Sequence, residues 1–213
     1  MSDILLDEQT APAGPAAGQL VVWPDNAASK LAYKDDSGRA YLLGGGVTNA
    51  SNAAQGAGFA ADTYVTDSDL VIPSFLLQTR TKLYWMIQVS KTAAGIATPI
   101  YQVRIGANRT TGDTSRLSIT GPAQTAAADI AIIEIWVILR NAGAGATLRG
   151  AVQIAHNTSG ITGFANVATP VTVATSAAFD SGSHAAGQFV GLSINGGSSA
   201  AWTIDQVLAS MDC

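Results

Sequence analysis

The stretch from Asp129 to Arg140, DIAIIEIWVILR, constrains the fold of this chain more than any other segment. Between Ile130 and Leu139 its only polar side chain is Glu134. A membrane-spanning helix needs about 20 apolar residues, so the run is too short for one, and its β-branched content disfavours a soluble helix. As a strand, it places Ala131, Ile133, Ile135, Val137 and Leu139 on one face, because strand side chains alternate. Ile130, Ile132, Glu134, Trp136 and Ile138 fall on the other. A half-buried strand carries polar residues on its second face, and this one does not. It reads as a central strand covered on both sides: by its own core on one, and by another subunit or another layer of its own chain on the other.

Composition supports a chain that is covered by neighbours. Hydrophobic residues make up 47% of the 213, enough for a sizeable core, while only 12% are charged and 22 are glycine. So bland a surface suits a subunit of a larger assembly. The net charge of −4 provides no electrostatic footprint for nucleic acid or an anionic membrane, and neither is expected as a partner. The single cysteine, Cys213, excludes a disulfide or cysteine-built metal site within one chain. MSDILLDEQT has neither a basic nor an apolar signal region, so synthesis in a cytoplasm without secretory processing is expected.

The chain divides into four parts. Residues 1–19 hold Ile4, Leu5 and Leu6, then the Pro/Gly/Ala run TAPAGPAAGQ, which reads as an extended arm. Residues 20–45 alternate short strands with Asp/Asn/Gly turns, a small β-meander whose apolar surface comes mainly from Trp23, Tyr33 and Tyr41. It is too small to fold unaided and needs the main domain, symmetry copies or a docking surface. Residues 46–60 are small and uncharged; without GxGxxG or GK[ST] they read as a linker, with a short helix near Asn52–Ala57 as the other possibility. Over residues 61–213, roughly nine or ten strands separated by Gly, Pro, Asn and Ser turns predict an antiparallel β-sandwich, best matched by a jelly roll. The last strand, with Trp202, Ile204 and Leu208 on one face, is expected to pair near the first.

Several segments resemble a known class of protein. ILLDEQTAPAGPAAGQLVVW followed by KLAYKDDSGRAYLL resembles the N-terminal module of tailed-bacteriophage virion fibre and decoration proteins. DTYVTDSDLVIPS, KTAAGIATPIYQVRIG, TTGDTSRLSITGPAQTAAAD, ITGFANV and SSAAWTIDQV resemble a jelly-roll domain of the same kind of protein. The resemblance covers most of the chain. It implies a non-enzymatic, homotrimeric projection on a virion, of head-fibre or short tail-fibre type. On that reading Ile4, Leu5, Leu6, Trp23, Tyr33 and Tyr41 attach it to other virion proteins, and Ile130, Ile132, Glu134, Trp136 and Ile138 meet other copies near a threefold axis.

No residue pattern specifies a catalyst or a cofactor. His184 could join Asp180 and a serine in a triad, but GxSxG is absent and FDSGSHAAG reads as a polar turn. His156, at a strand end, is expected to be exposed or at an interface. Asp62, Asp67 and Asp69 lie close enough for Ca²⁺ but lack EF-hand spacing, so turn formation is the preferred reading. Glu134 is expected to pair with Arg104, Arg140 or Arg149 across strands or subunits, since a lone buried carboxylate is costly. Among the aromatics, Trp85 and Trp202 read as core, and Tyr84 as the better candidate for an exposed contact. A host-surface glycan is the alternative partner to virion proteins.

Overall fold

A computed structural model describes residues 9–35, 39–43, 46–92, 95–157, 163–167, 171–197 and 200–212. In chain order the strands are β1 (Val21–Asp25), β2 (Lys30–Lys34), β3 (Ala40–Leu42), β4 (Val47–Ser51), β5 (Gln55–Gly58), β6 (Thr63–Tyr64), β7 (Leu70–Val71) and β8 (Lys82–Lys91). They continue with β9 (Ile100–Gly106), β10 (Thr114–Thr120), β11 (Asp129–Asn141), β12 (Thr147–His156), β13 (Val171–Thr175), β14 (Phe189–Asn195) and β15 (Trp202–Asp212). The described residues include no α-helix, and the only helical turn is a 3₁₀ turn at Ser181–Ser183.

The fold is an all-β sandwich with a small meander docked on it. A seven-stranded sheet runs β13-β12-β11-β8-β15-β4, with β5 also paired to β15; a five-stranded sheet runs β10-β9-β14-β6, with β7 also paired to β14. All pairings within these sheets are antiparallel. β11 sits between β8 and β12, with Ile133 opposite Ile87 on one side and Ile154 on the other. Its Ala131, Ile133, Ile135, Val137 and Leu139 are buried, as the alternation predicts. Ile133, Ile135, Val137 and Leu139 each contribute about 1.5–3 kcal/mol on full burial. Facing them from the other sheet are Tyr101, Val103 and Ile105 of β9 and Val190, Leu192 and Ile194 of β14, all buried. At Gly150 of β12, a Cβ would lie 2.8 Å from a methyl of Leu117 and 2.9 Å from one of Val137, so only glycine lets the sheets close there.

Residues 46–60 are not a linker. β4 and β5 pair with β15, closing the seven-stranded sheet with the start and the end of the chain's sandwich portion side by side. Side chains as small as those of VTNAS and QGAG carry little strand signal of their own; the ladder to β15 supplies it. β15 differs from its expected facing. A bulge between Ile204 and Gln206 sets one extra residue against β8 and reverses the alternation. Trp202 and Ile204 point into the core as expected, but Val207, Ala209 and Met211 follow them while Leu208 faces outward.

The meander is part of the same core. Alternation turns Trp23, Asp25, Ala32, Ala40 and Leu42 inward, and all but Asp25 join the main hydrophobic cluster. Trp23 meets Phe75 edge-on, with ring centroids 6.4 Å apart. The Asp25 carboxylate accepts from the backbone N–H groups of Ala27 and Ala28, at 3.0 and 2.8 Å, and from both the N–H and the hydroxyl of Ser74. Gln78 brackets Ala40, donating to its carbonyl at 2.9 Å and accepting from its N–H at 3.3 Å. The module too small to fold alone is therefore completed by its own main domain. The described part of the arm lies on it: the Gln9 N–H donates to the Pro24 carbonyl at 2.9 Å, and Lys34 Nζ to the Pro12 carbonyl at 2.6 Å.

Candidate functional site

Along β11 the outer face of the seven-stranded sheet is apolar and, among the described residues, uncovered. Ile130, Ile132, Trp136 and Ile138 of β11 are exposed, Ile130 to 60%. The register extends this stripe on both sides. In one row across the sheet, Val173, Ala151, Trp136 and Tyr84 stand side by side. In the next, Val171, Gln153, Glu134, Met86 and Leu208 do so. Arg149, Gln153, Gln88 and Lys82 share the face, so its apolar part is a stripe along β11 continued by Val171, Val173, Tyr84, Met86 and Leu208.

Glu134 is the single carboxylate in the centre of this face, and its partner is not an arginine. Tyr84 lies diagonally next to it across β8 and donates its hydroxyl to Glu134 Oε1 at 2.6 Å. Burial, followed by this hydrogen bond and the carboxylate's charge, pushes the Tyr84 hydroxyl up from its ordinary 10.0 to about 12. Of the arginines expected to pair with Glu134, Arg149 sits opposite Ile138 and Arg104 is buried in the other sheet. The Tyr84 ring also leans on Trp136, with centroids 6.1 Å apart and planes 35° apart. Beside this pair, towards the end of the sheet where β8 begins and β15 ends, a hollow of about 270 Å³ opens between Lys82, Tyr84, Trp136, Ile138, Ser210 and Asp212.

The residues expected to attach the chain separate into two groups. Trp23 is 1% exposed and packs inward, so it cannot contact a partner. Tyr33 and Tyr41 lie on the meander's outer face, stacked at 4.9 Å, in one row with the exposed Val22. Leu31 and Leu43 are exposed on the same module. Ile4, Leu5 and Leu6 lie outside the described residues.

The remaining candidates resolve into structural roles. Asp62 pairs with Arg104, and Asp69 lies 3.4 Å from Arg109, while Asp67 occupies a turn at φ +60°, so the three carboxylates do not converge. Among the described residues, no group of three or more His, Cys, Asp or Glu is placed to hold a metal ion. His184 accepts from Arg116 Nε at 3.1 Å through Nε2, and Asp180 instead caps the 3₁₀ turn by accepting from the Gly182 N–H. Burial and the Arg116 charge lower the His184 pKa, keeping the ring neutral. His156 Nδ1 lies 3.0 Å from Asp129 Oδ2, which also accepts from the Phe164 N–H at 3.0 Å. Lys91 is buried beneath the same loops, donating to the carbonyls of Thr125 at 2.7 Å and Gly95 at 2.9 Å.

Sequence reasoning missed Val171, Val173 and Leu208 on the outer face. The alternation in PVTVAT carries a signal for the two valines, whereas the bulge hides the outward turn of Leu208. Among the described residues, no helix is long and apolar enough to cross a membrane. Neither a protein-family model nor a curated protein matches the chain.

Proposed function

We propose that this chain is a non-enzymatic structural subunit of a tailed-bacteriophage virion, a capsid-attached head fibre or decoration protein that assembles as a homotrimer. The observation that carries the assembly part is the outer face of the seven-stranded sheet. Its exposed isoleucines and Trp136 are the kind of apolar centre that interfaces bury. The Tyr84 hydroxyl already satisfies one oxygen of Glu134, which reduces the cost of covering that carboxylate. Charged residues gather at one end, at Lys82, Arg149 and Asp212, where an interface rim belongs.

The virion part of the reading rests on the resemblance of the N-terminal and jelly-roll segments. On this reading the chain is made in the bacterial cytoplasm and docks on the particle through its N-terminal region. The outer face of the meander, with Tyr33 and Tyr41 beside Val22, Leu31 and Leu43, serves that docking in place of the inward Trp23. Two measurements test the proposal. Light scattering should report three times the 21.7 kDa chain mass, and electron microscopy of intact particles should locate the chain on the head. A monomeric mass at all concentrations overturns the assembly, and absence from purified particles overturns the virion role. A second reading, a host-attachment tip that binds glycan, is favoured by one feature, the tilted Tyr84–Trp136 pair beside an open hollow.

A further inference from the structure

We infer that the hollow between the beginning of β8, β11 and the end of β15 binds a neutral pyranose ring. Its floor is the Tyr84–Trp136 pair, folded by 35° into a shallow shelf and continued by Ile138. A pyranose offers two apolar C–H faces to such a shelf and a girdle of hydroxyls to whatever surrounds it. The surroundings here are a Lys82 ammonium that only donates, an Asp212 carboxylate that only accepts, and a Ser210 hydroxyl that does both. That set matches vicinal hydroxyls, each of which donates and accepts.

The charge balance selects the class of sugar. Lys82 and Asp212 stand opposite each other in register, yet the ion pairs among the described residues are Arg104–Asp62, Arg109–Asp69 and His156–Asp129. Both groups line the hollow, and their charges cancel. An anionic sugar would meet Asp212 and the nearby Glu134, and a cationic one would meet Lys82. The volume of about 270 Å³ lies just below the about 300 Å³ at which sites for larger ligands begin, which suits a single ring. This inference rests on the second reading above and competes with the trimer, whose contact face and rim include Tyr84, Lys82 and Asp212. Trp136 and Ile138 are shared, so sugar and a second copy would compete for them.

Trp136 itself supplies the test. Of the four tryptophans, Trp23, Trp85 and Trp202 are buried and Trp136 is 38% exposed, so acrylamide quenching of the full chain reads this one side chain. The slope is measured against glucose, galactose, mannose, N-acetylglucosamine and their disaccharides, over a wide range of protein concentration. At least one sugar should protect Trp136 saturably, while glycerol does not. Tyr84→Ala and Asp212→Ala should each weaken that protection by about tenfold while leaving the circular dichroism spectrum unchanged. No saturable protection, or equal protection by glycerol, overturns the site. Protection that follows protein concentration and not sugar also overturns it, leaving the face to copy contact. Sugar protection of a chain that stays monomeric by light scattering supports the site and removes the assembly reading alone.

Discussion

The two sheets of the sandwich finish their outer faces in opposite ways. Both central strands alternate cleanly, and both bury one face in the shared core. Outside the five-stranded sheet the chain covers itself with polar groups: Arg104 Nε donates to Ser193 at 2.7 Å, its Nη1 to the Asp113 carbonyl at 2.6 Å, and its Nη2 joins Asp62. Tyr64 lies so close over Gly191 that a Cβ there would fall within 1.8 Å of its hydroxyl oxygen, and the Arg109 guanidinium stacks on Phe189 at 3.7 Å. Outside the seven-stranded sheet the described residues form no such network over β11, where isoleucines and Trp136 surround one carboxylate tied to a tyrosine. A polar outer face can be completed by a few hydrogen-bonding loops. An apolar one is completed only by more apolar surface, which this chain does not spend on itself.

The sharpest way to break this contrast is to cut both faces of β11. Ile135→Ala, on the buried face, should cost about 2–5 kcal/mol in chemical denaturation, because it leaves a cavity. Ile132→Ala, on the exposed face, should change monomer stability by less than about 1 kcal/mol. Equal losses at the two positions would mean that the outer face is already covered. Next in size is Arg104→Met, which strands Ser193, Asp62 and two carbonyls. It should cost about 2–3 kcal/mol, below the full penalty of a buried pair because the Asp62 side chain keeps 27% of its exposure. If instead the loss is negligible, the polar cover over the five-stranded sheet is not what holds it closed.

The outer face should respond in association more than in stability. Replacing Trp136 with Glu places a second carboxylate among isoleucines and should weaken self-association by about 2 kcal/mol, roughly thirtyfold, while the melting profile of the single chain holds. Sedimentation at graded concentrations measures this, and an unchanged mass distribution would remove Trp136 from the contact. The smallest effect belongs to Tyr84. The folded chain holds its phenolic proton to about pH 12 and the unfolded chain to about 10. The stability it contributes is therefore complete below about pH 10 and is lost as pH rises towards 12. Tyr84→Phe should remove that part of the alkaline slope, and absorbance titration should show one late-ionising tyrosinate fewer.

How much of this could be read in advance depends on the range of the interaction. The period of two in DIAIIEIWVILR is local, and it marked the core face of β11 correctly, whereas the row from Ile130 to Ile138, read as covered, is exposed in the single chain. Tyr84 was legible as the outward aromatic for the same reason. The pairing of β4 and β5 with β15 was not, since small residues with no pattern became strands only by meeting a partner about 150 residues away in sequence. Arg104 lies on the outer side of β9, yet contacts with Asp62 and with Thr111 to Asp113 bury it.

By itself, then, the sequence determined an antiparallel sandwich, the buried side of its central strand, and the apolar character of that strand's second side. Alternation of side chains about a strand follows from backbone geometry and needs no tertiary knowledge. Only the tertiary structure decided that Trp23 turns inward onto Phe75, that a bulge turns Leu208 outward, and that Glu134 takes the Tyr84 hydroxyl and not an arginine. Each of those outcomes depends on register between distant segments, where a shift of one residue sends a side chain to the opposite face.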